Sequence, residues 1–187
     1  MKIGKNKILN DLLEKKLSSS EYIELSRKYY KNKKVLGLKP LNVAFFSNYT
    51  LEFLDPYLNV NLAKKGYFLS SDYNTYGMIE QNIFSPSSEI YTKEFDIFFI
   101  DLKFEDIFPD FEGSQIGLNQ YKADELLLGF ESYISNLLDS IRNNFKSHIF
   151  ISNFSSQVNN IYSLLEQNLE ISKSDIIFRM NKLLNDT

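Results

Sequence analysis

The chain has 187 residues, 43% of them hydrophobic, enough for one domain with a core of its own. Its formal net charge of -3, from 21 Lys and Arg against 24 Asp and Glu, lacks the basic excess that nucleic-acid binding requires. The absence of cysteine and the presence of a single histidine exclude disulfides, thiolate catalysis, zinc–sulfur sites and multi-histidine metal sites.

In chain order, MKIGKNKILNDLLEKK breaks every apolar run with a charge, so the expectation is that this stretch is no signal peptide. No window reaches the ~18 apolar residues of a membrane helix, and cytoplasmic residence is the expectation. Ile8, Leu9, Leu12 and Leu13 have helical spacing over 6–16, and Ser18–Ser20 offer N-caps for a second helix over 20–33. The lysines and arginines of the first 39 positions either form the solvated faces of these helices or meet an acidic partner such as a carrier protein. Gly37 and Pro40 then break the chain into LNVAFFS, an unbroken apolar run that suits a parallel strand covered on both faces.

A helix is expected over 51–65, with Pro56 tolerable only near its first turn and Gly66 as its stop. YFLS (67–70) reads as a second strand, SDYNTYG as the loop after it, and 76–83 as a short helix. FDIFFIDL (95–102) is the strongest strand signal. Pro109, Gly113 and Gly117 mark a loop before a long helix over 122–145, its buried side formed by Leu126, Leu127, Phe130, Ile134, Leu137, Leu138 and Ile141. HIFIS gives a fourth strand, Asn153–Asn160 a polar loop, and the remainder a helix broken near Ser172. Two helices followed by four strand–helix repeats predict a three-layer αβα fold of the flavodoxin-like or SGNH-like type. Its parallel sheet should have about four to five strands.

In such folds ligands gather at the carboxyl ends of the strands. That rule makes candidates of Ser47, Asn48, Tyr49 and Thr50 after the first strand and of Asp72, Tyr73, Asn74, Tyr76 and Gly77 after the second. Asp101 and Lys103 follow the third, and Asn153 and Ser155 the fourth. Convergent hydroxyl and amide groups suit recognition of a polar ligand. The same residue types also fill turns and cap helices.

Three blocks, LNVAFFSNYTLEFLDPYL, GYFLSSDYNTYGMIEQNIFSPSSEIYTKEFDIFFIDL and HIFISNF with a helix ending in MNKLL, resemble the N-terminal domain of FkbH-like proteins of HAD-superfamily subfamily IIIC. Full members of that bacterial family continue into a haloacid-dehalogenase (HAD) type domain. The two expected helices form an N-terminal helical extension (1–39), and the resemblance implies that 40–187 is an SGNH-hydrolase-like domain expected to stop before its last strand and before the HAD domain. It also implies a link to glyceryl transfer onto an acyl-carrier protein, with that protein or the HAD domain as partner. No cofactor is expected in this chain, since Mg²⁺ belongs with the HAD aspartates, and at the nearest match, Asp101, the second aspartate is replaced by Lys103.

An SGNH hydrolase needs a nucleophilic serine after the first strand, a histidine base and a carboxylate behind it. On alignment with the family's G-D-S motif the serine position falls on Tyr49, with Ser47 or Thr50 available by a register shift, and Gly77 could match the second-block glycine. The asparagine donor after the third strand is absent, no D-x-x-H occurs, and His148 opens the fourth strand. The expectation is a non-catalytic accessory domain, with a divergent SGNH-type esterase or acyltransferase as the alternative.

Overall fold

A computed structural model describes residues 17–108, 119–155 and 170–186. The expected helix over 6–16 and most of the segment between Ser155 and Ser172 lie outside the described residues. Helix α1 (Ser19–Leu36) opens with Ser18 and Glu21 in a reciprocal capping box. It ends at Gly37, whose φ of 67° is the left-handed conformation glycine adopts without a Cβ penalty. Strand β1 is Lys39–Ser47, followed by a 3₁₀ turn at Glu52–Leu54 and helix α2, Asp55–Lys64. Pro56 sits in the first turn of α2, where its missing N–H costs nothing.

Strand β2 runs from Tyr67 to Tyr73, three residues beyond the expected end. Ser71 and Asp72 look like turn residues, but pairing with β1 overrides that preference: the register runs without a break from Lys39 opposite Tyr67 to Phe45 opposite Tyr73. Tyr73 also stacks on Phe45, with ring centroids 4.9 Å apart. Helix α3 is Ile79–Phe84, strand β3 is Ile97–Asp101, and a single turn, α4, is Phe104–Ile107. Helix α5, Gln120–Asn144, is capped by Asn119, whose side chain accepts the Lys122 N–H at 2.9 Å. Leu126 and Leu127 are only half-buried, and Ala123 takes the buried position nearest the start of the helix. Strand β4 is His148–Ile151, and helix α6 is Lys173–Asp186. The break expected near Ser172 is the start of α6: Ser172 and Asp175 cap each other's backbone N–H at 2.9 and 3.1 Å.

All four strands are parallel, in the order β2-β1-β3-β4. The fold is a three-layer αβα arrangement. On one face α3, α5 and α6 bury Phe46, Phe98 and Ile100 in the main core. On the other, the Val43, Phe45 and Leu69 side of the sheet packs on α2. Helix α1 then packs on α2 through Tyr29, Leu36, Val60 and Ala63. Burial of one large apolar side chain is worth ~1.5–3 kcal/mol, so the main core supplies most of the apolar stabilisation.

Candidate functional site

The loop after β1 is built around Ser47, which is buried at the strand's last position. The Asn74 side chain brackets it: Oδ1 accepts the Ser47 N–H at 2.7 Å, and Nδ2 donates to the Ser47 carbonyl at 3.1 Å. A primary amide here continues the strand ladder that β2 has just ended. The Ser47 hydroxyl oxygen in turn accepts the Tyr49 N–H at 3.1 Å, closing a short turn. Register places Asp101 of β3 beside Ser47, and the Tyr49 hydroxyl donates to Asp101 Oδ2. Burial, then the hydrogen bond to Asp101 and its negative charge, push the Tyr49 phenol well above its ordinary 10.0, so it stays protonated as a donor. Asn48 Oδ1 is buried without a hydrogen-bond partner among the described residues.

The sheet thus brings Ser47, Tyr49, Asn74 and Asp101 together. The rest of the second group disperses. Asp72 and Tyr73 are strand residues, not loop residues, and successive strand side chains point to opposite faces. Asp72 pairs with Lys93 on the α5 side. Tyr73 turns under α2, where its hydroxyl donates to Asp55 Oδ1 while the Ser71 hydroxyl donates to Asp55 Oδ2 at 3.0 Å. Burial and the Asp55 bond raise the Tyr73 phenol in the same way. Tyr76 is 73% exposed, and Gly77, at φ +70°, has open space where a Cβ would stand. Thr50, Lys103, Asn153 and Ser155 are exposed, with Lys103 at the N-cap position of α4.

Several site-shaping residues escaped the sequence reading. Asn181 of α6 brackets Phe154 as Asn74 brackets Ser47, accepting its N–H at 2.8 Å and donating to its carbonyl at 2.9 Å. Asp55 and Lys93 receive the partners just described. A polar cleft of about 400 Å³ opens beside β2 on the α5 side, lined among others by Asp72, Asn74, Gln81, Asn82 and Lys93. No local signal marks Asn181, because its partner is 27 residues away.

His148 is exposed at the first position of β4, paired in register with Ile97. Asp101 and Ser47 lie four residues further along the strands, about 13 Å at ~3.3 Å per residue, well outside proton-transfer reach. Among the described residues no group of three or more His, Asp or Glu could hold a metal ion, and no helix is long and apolar enough to cross a membrane.

The chain matches no protein-family model and no curated protein sequence. Among solved structures it is similar to the N-terminal part of the protein BF1531 from Bacteroides fragilis, described as containing a phosphatase domain and complexed with Mg. The TM-score is 0.63 at 16% identity, over 88% of this chain and 40% of that one. At this identity the likeness is one of fold, and the chain spans about 40% of the length of its neighbour.

Proposed function

We propose that this chain is a non-catalytic accessory domain of an FkbH-like glyceryl or acyl transferase or phosphatase, helping to bind an acyl-carrier protein or a HAD-type partner domain. The observation that carries the reading is the state of the hydroxyls at the carboxyl edge. Ser47 is buried and accepts a backbone N–H, Tyr49 is bonded to Asp101, and the sole histidine stands at the opposite end of the sheet. A serine without an adjacent base is a poor nucleophile. The fold likeness to a chain whose description names a phosphatase domain supports the same reading, as do the sequence blocks that resemble the FkbH-like N-terminal domain. In this reading Mg²⁺ acts in the partner domain.

Titration of the protein with an acyl-carrier protein, and separately with an expressed HAD-type domain, tests it. Saturable association with one of them is expected, and no association with either would overturn the proposal. Hydrolysis of p-nitrophenyl acetate above the buffer rate that disappears in Ser47→Ala or Thr50→Ala would replace it with the esterase reading.

A further inference from the structure

Charge is distributed unevenly along this chain. Residues 27–39 hold six of its 21 cations (Arg27, Lys28, Lys31, Lys33, Lys34 and Lys39) and none of its 24 carboxylates. The ion pairs among the described residues join Lys93 to Asp72, Lys173 to Glu105 and Arg179 to Asp124, so none draws on this cluster. Lys33 and Lys34, in the last turn of α1, complement the helix dipole. Arg27 and Lys31 lie further back, where the dipole gives no such reason.

Arg27, Lys31 and Lys33 line one wall of a groove of about 820 Å³ between α1 and the outer edge of β2. Ser70 and Ser71 contribute to the facing wall. Lys33 is held in place there: its ammonium lies 4.0 Å from the centre of the Tyr30 ring and 4.3 Å from that of Phe68. The groove is not built to receive an added strand, because Asn59 Oδ1 already takes the outward Leu69 N–H at 3.0 Å. Among the described residues its one carboxylate, Asp55, is already engaged by the Ser71 and Tyr73 hydroxyls.

A guanidinium, two ammoniums and the neighbouring Ser70 hydroxyl on a concave surface match an anion of high charge density with several acceptor oxygens. We propose that the groove between α1 and β2 binds a phosphoryl-bearing ligand, with Arg27, Lys31 and Lys33 as its charged contacts. The groove runs along the outer edge of β2 and shares only Asp55 with the Tyr73 contact, and its proposal does not depend on the accessory-domain reading.

Calorimetric titration with inorganic pyrophosphate at low salt tests it, with a glutamate-rich peptide as competitor. Saturable binding is expected, weakened at least tenfold in Arg27→Gln/Lys31→Gln and in Lys33→Gln, unchanged in the remote Lys146→Gln, and poorly displaced by the peptide. Circular dichroism on each variant confirms folding. Absence of saturable binding, equal binding by the double variant, or displacement by the peptide at matched charge would each overturn the proposal. Loss of carrier-protein association in the same variants without pyrophosphate binding by the wild type would do so too, in favour of an acidic protein partner.

Discussion

The two faces of the sheet are covered very differently. Helices α3, α5 and α6 seal one face, leaving Phe98 and Ile100 fully buried. On the other, α2 packs over β1 and β2, whereas Ile97 and Phe99 of β3 are half-buried and Phe150 of β4 is 55% exposed among the described residues. The two groups of hydroxyl–carboxylate bonds, Tyr49–Asp101 and Tyr73–Asp55–Ser71, belong to this thinner face. One side of the molecule is therefore held by the larger apolar core, and the other combines smaller apolar clusters with hydroxyl–carboxylate pairs, whose net worth is smaller and depends on pH.

The largest test of this contrast is Phe98→Ala against Phe150→Ala. Loss of ~3–5 kcal/mol is expected for the first and less than ~0.5 kcal/mol for the second, read from urea denaturation midpoints. Equal losses would mean that Phe150 is covered and that the asymmetry is false. Next come the two bracketing asparagines: Asn181→Ala and Asn74→Ala should each cost ~1–3 kcal/mol by stranding a backbone N–H and carbonyl. Protection of the Ser47 and Phe154 amides against hydrogen exchange should fall selectively, each in its own variant.

On the thinner face, Tyr73→Phe and Tyr49→Phe should each cost ~0.5–1.5 kcal/mol, the typical net worth of a hydrogen bond. Both phenols titrate above their ordinary 10.0 in the folded protein, so the unfolded chain loses these protons first. Their contribution is therefore complete below pH 10 and declines as pH rises beyond it. Alkaline absorbance titration should show late-ionising tyrosines, and each variant should remove one. The smallest effect concerns Glu105, whose hydrogen bond from Lys173 at 2.6 Å holds its carboxyl below the ordinary 4.5. That contribution is present above pH 4.5 and is lost as pH falls through the lowered value. Because both partners are partly exposed, Lys173→Met should cost no more than ~1 kcal/mol near neutral pH and should flatten the acid side of the stability profile.

Much of the candidate edge was legible because strand ends announce themselves: LNVAFFS stops at a polar cluster, and the register places Ser47 and Asp101 side by side as the parallel order implies. The second loop was misread because Ser71 and Asp72 have the chemistry of turns. Only the neighbouring strand reveals that they continue β2, which sends Asp72 and Tyr73 to opposite faces. The amide groups expected to meet a ligand are partly spent on backbone: Asn74 holds Ser47, while Asn153 and Ser155 stand exposed around a Phe154 held by Asn181.

Local chemistry alone determined the order of strands and helices, the Ser18 cap, the stop at Gly37 and the apolar stripe of α5, since each depends on residues within one or two turns of one another. Tertiary structure decided the length of β2, the partners of Tyr49, Tyr73 and Asn181, the distance of His148 from Ser47, and the groove that gathers Arg27, Lys31 and Lys33 against β2. Those features depend on contacts between residues far apart in the chain, which no local pattern encodes until the sheet sets their register and face.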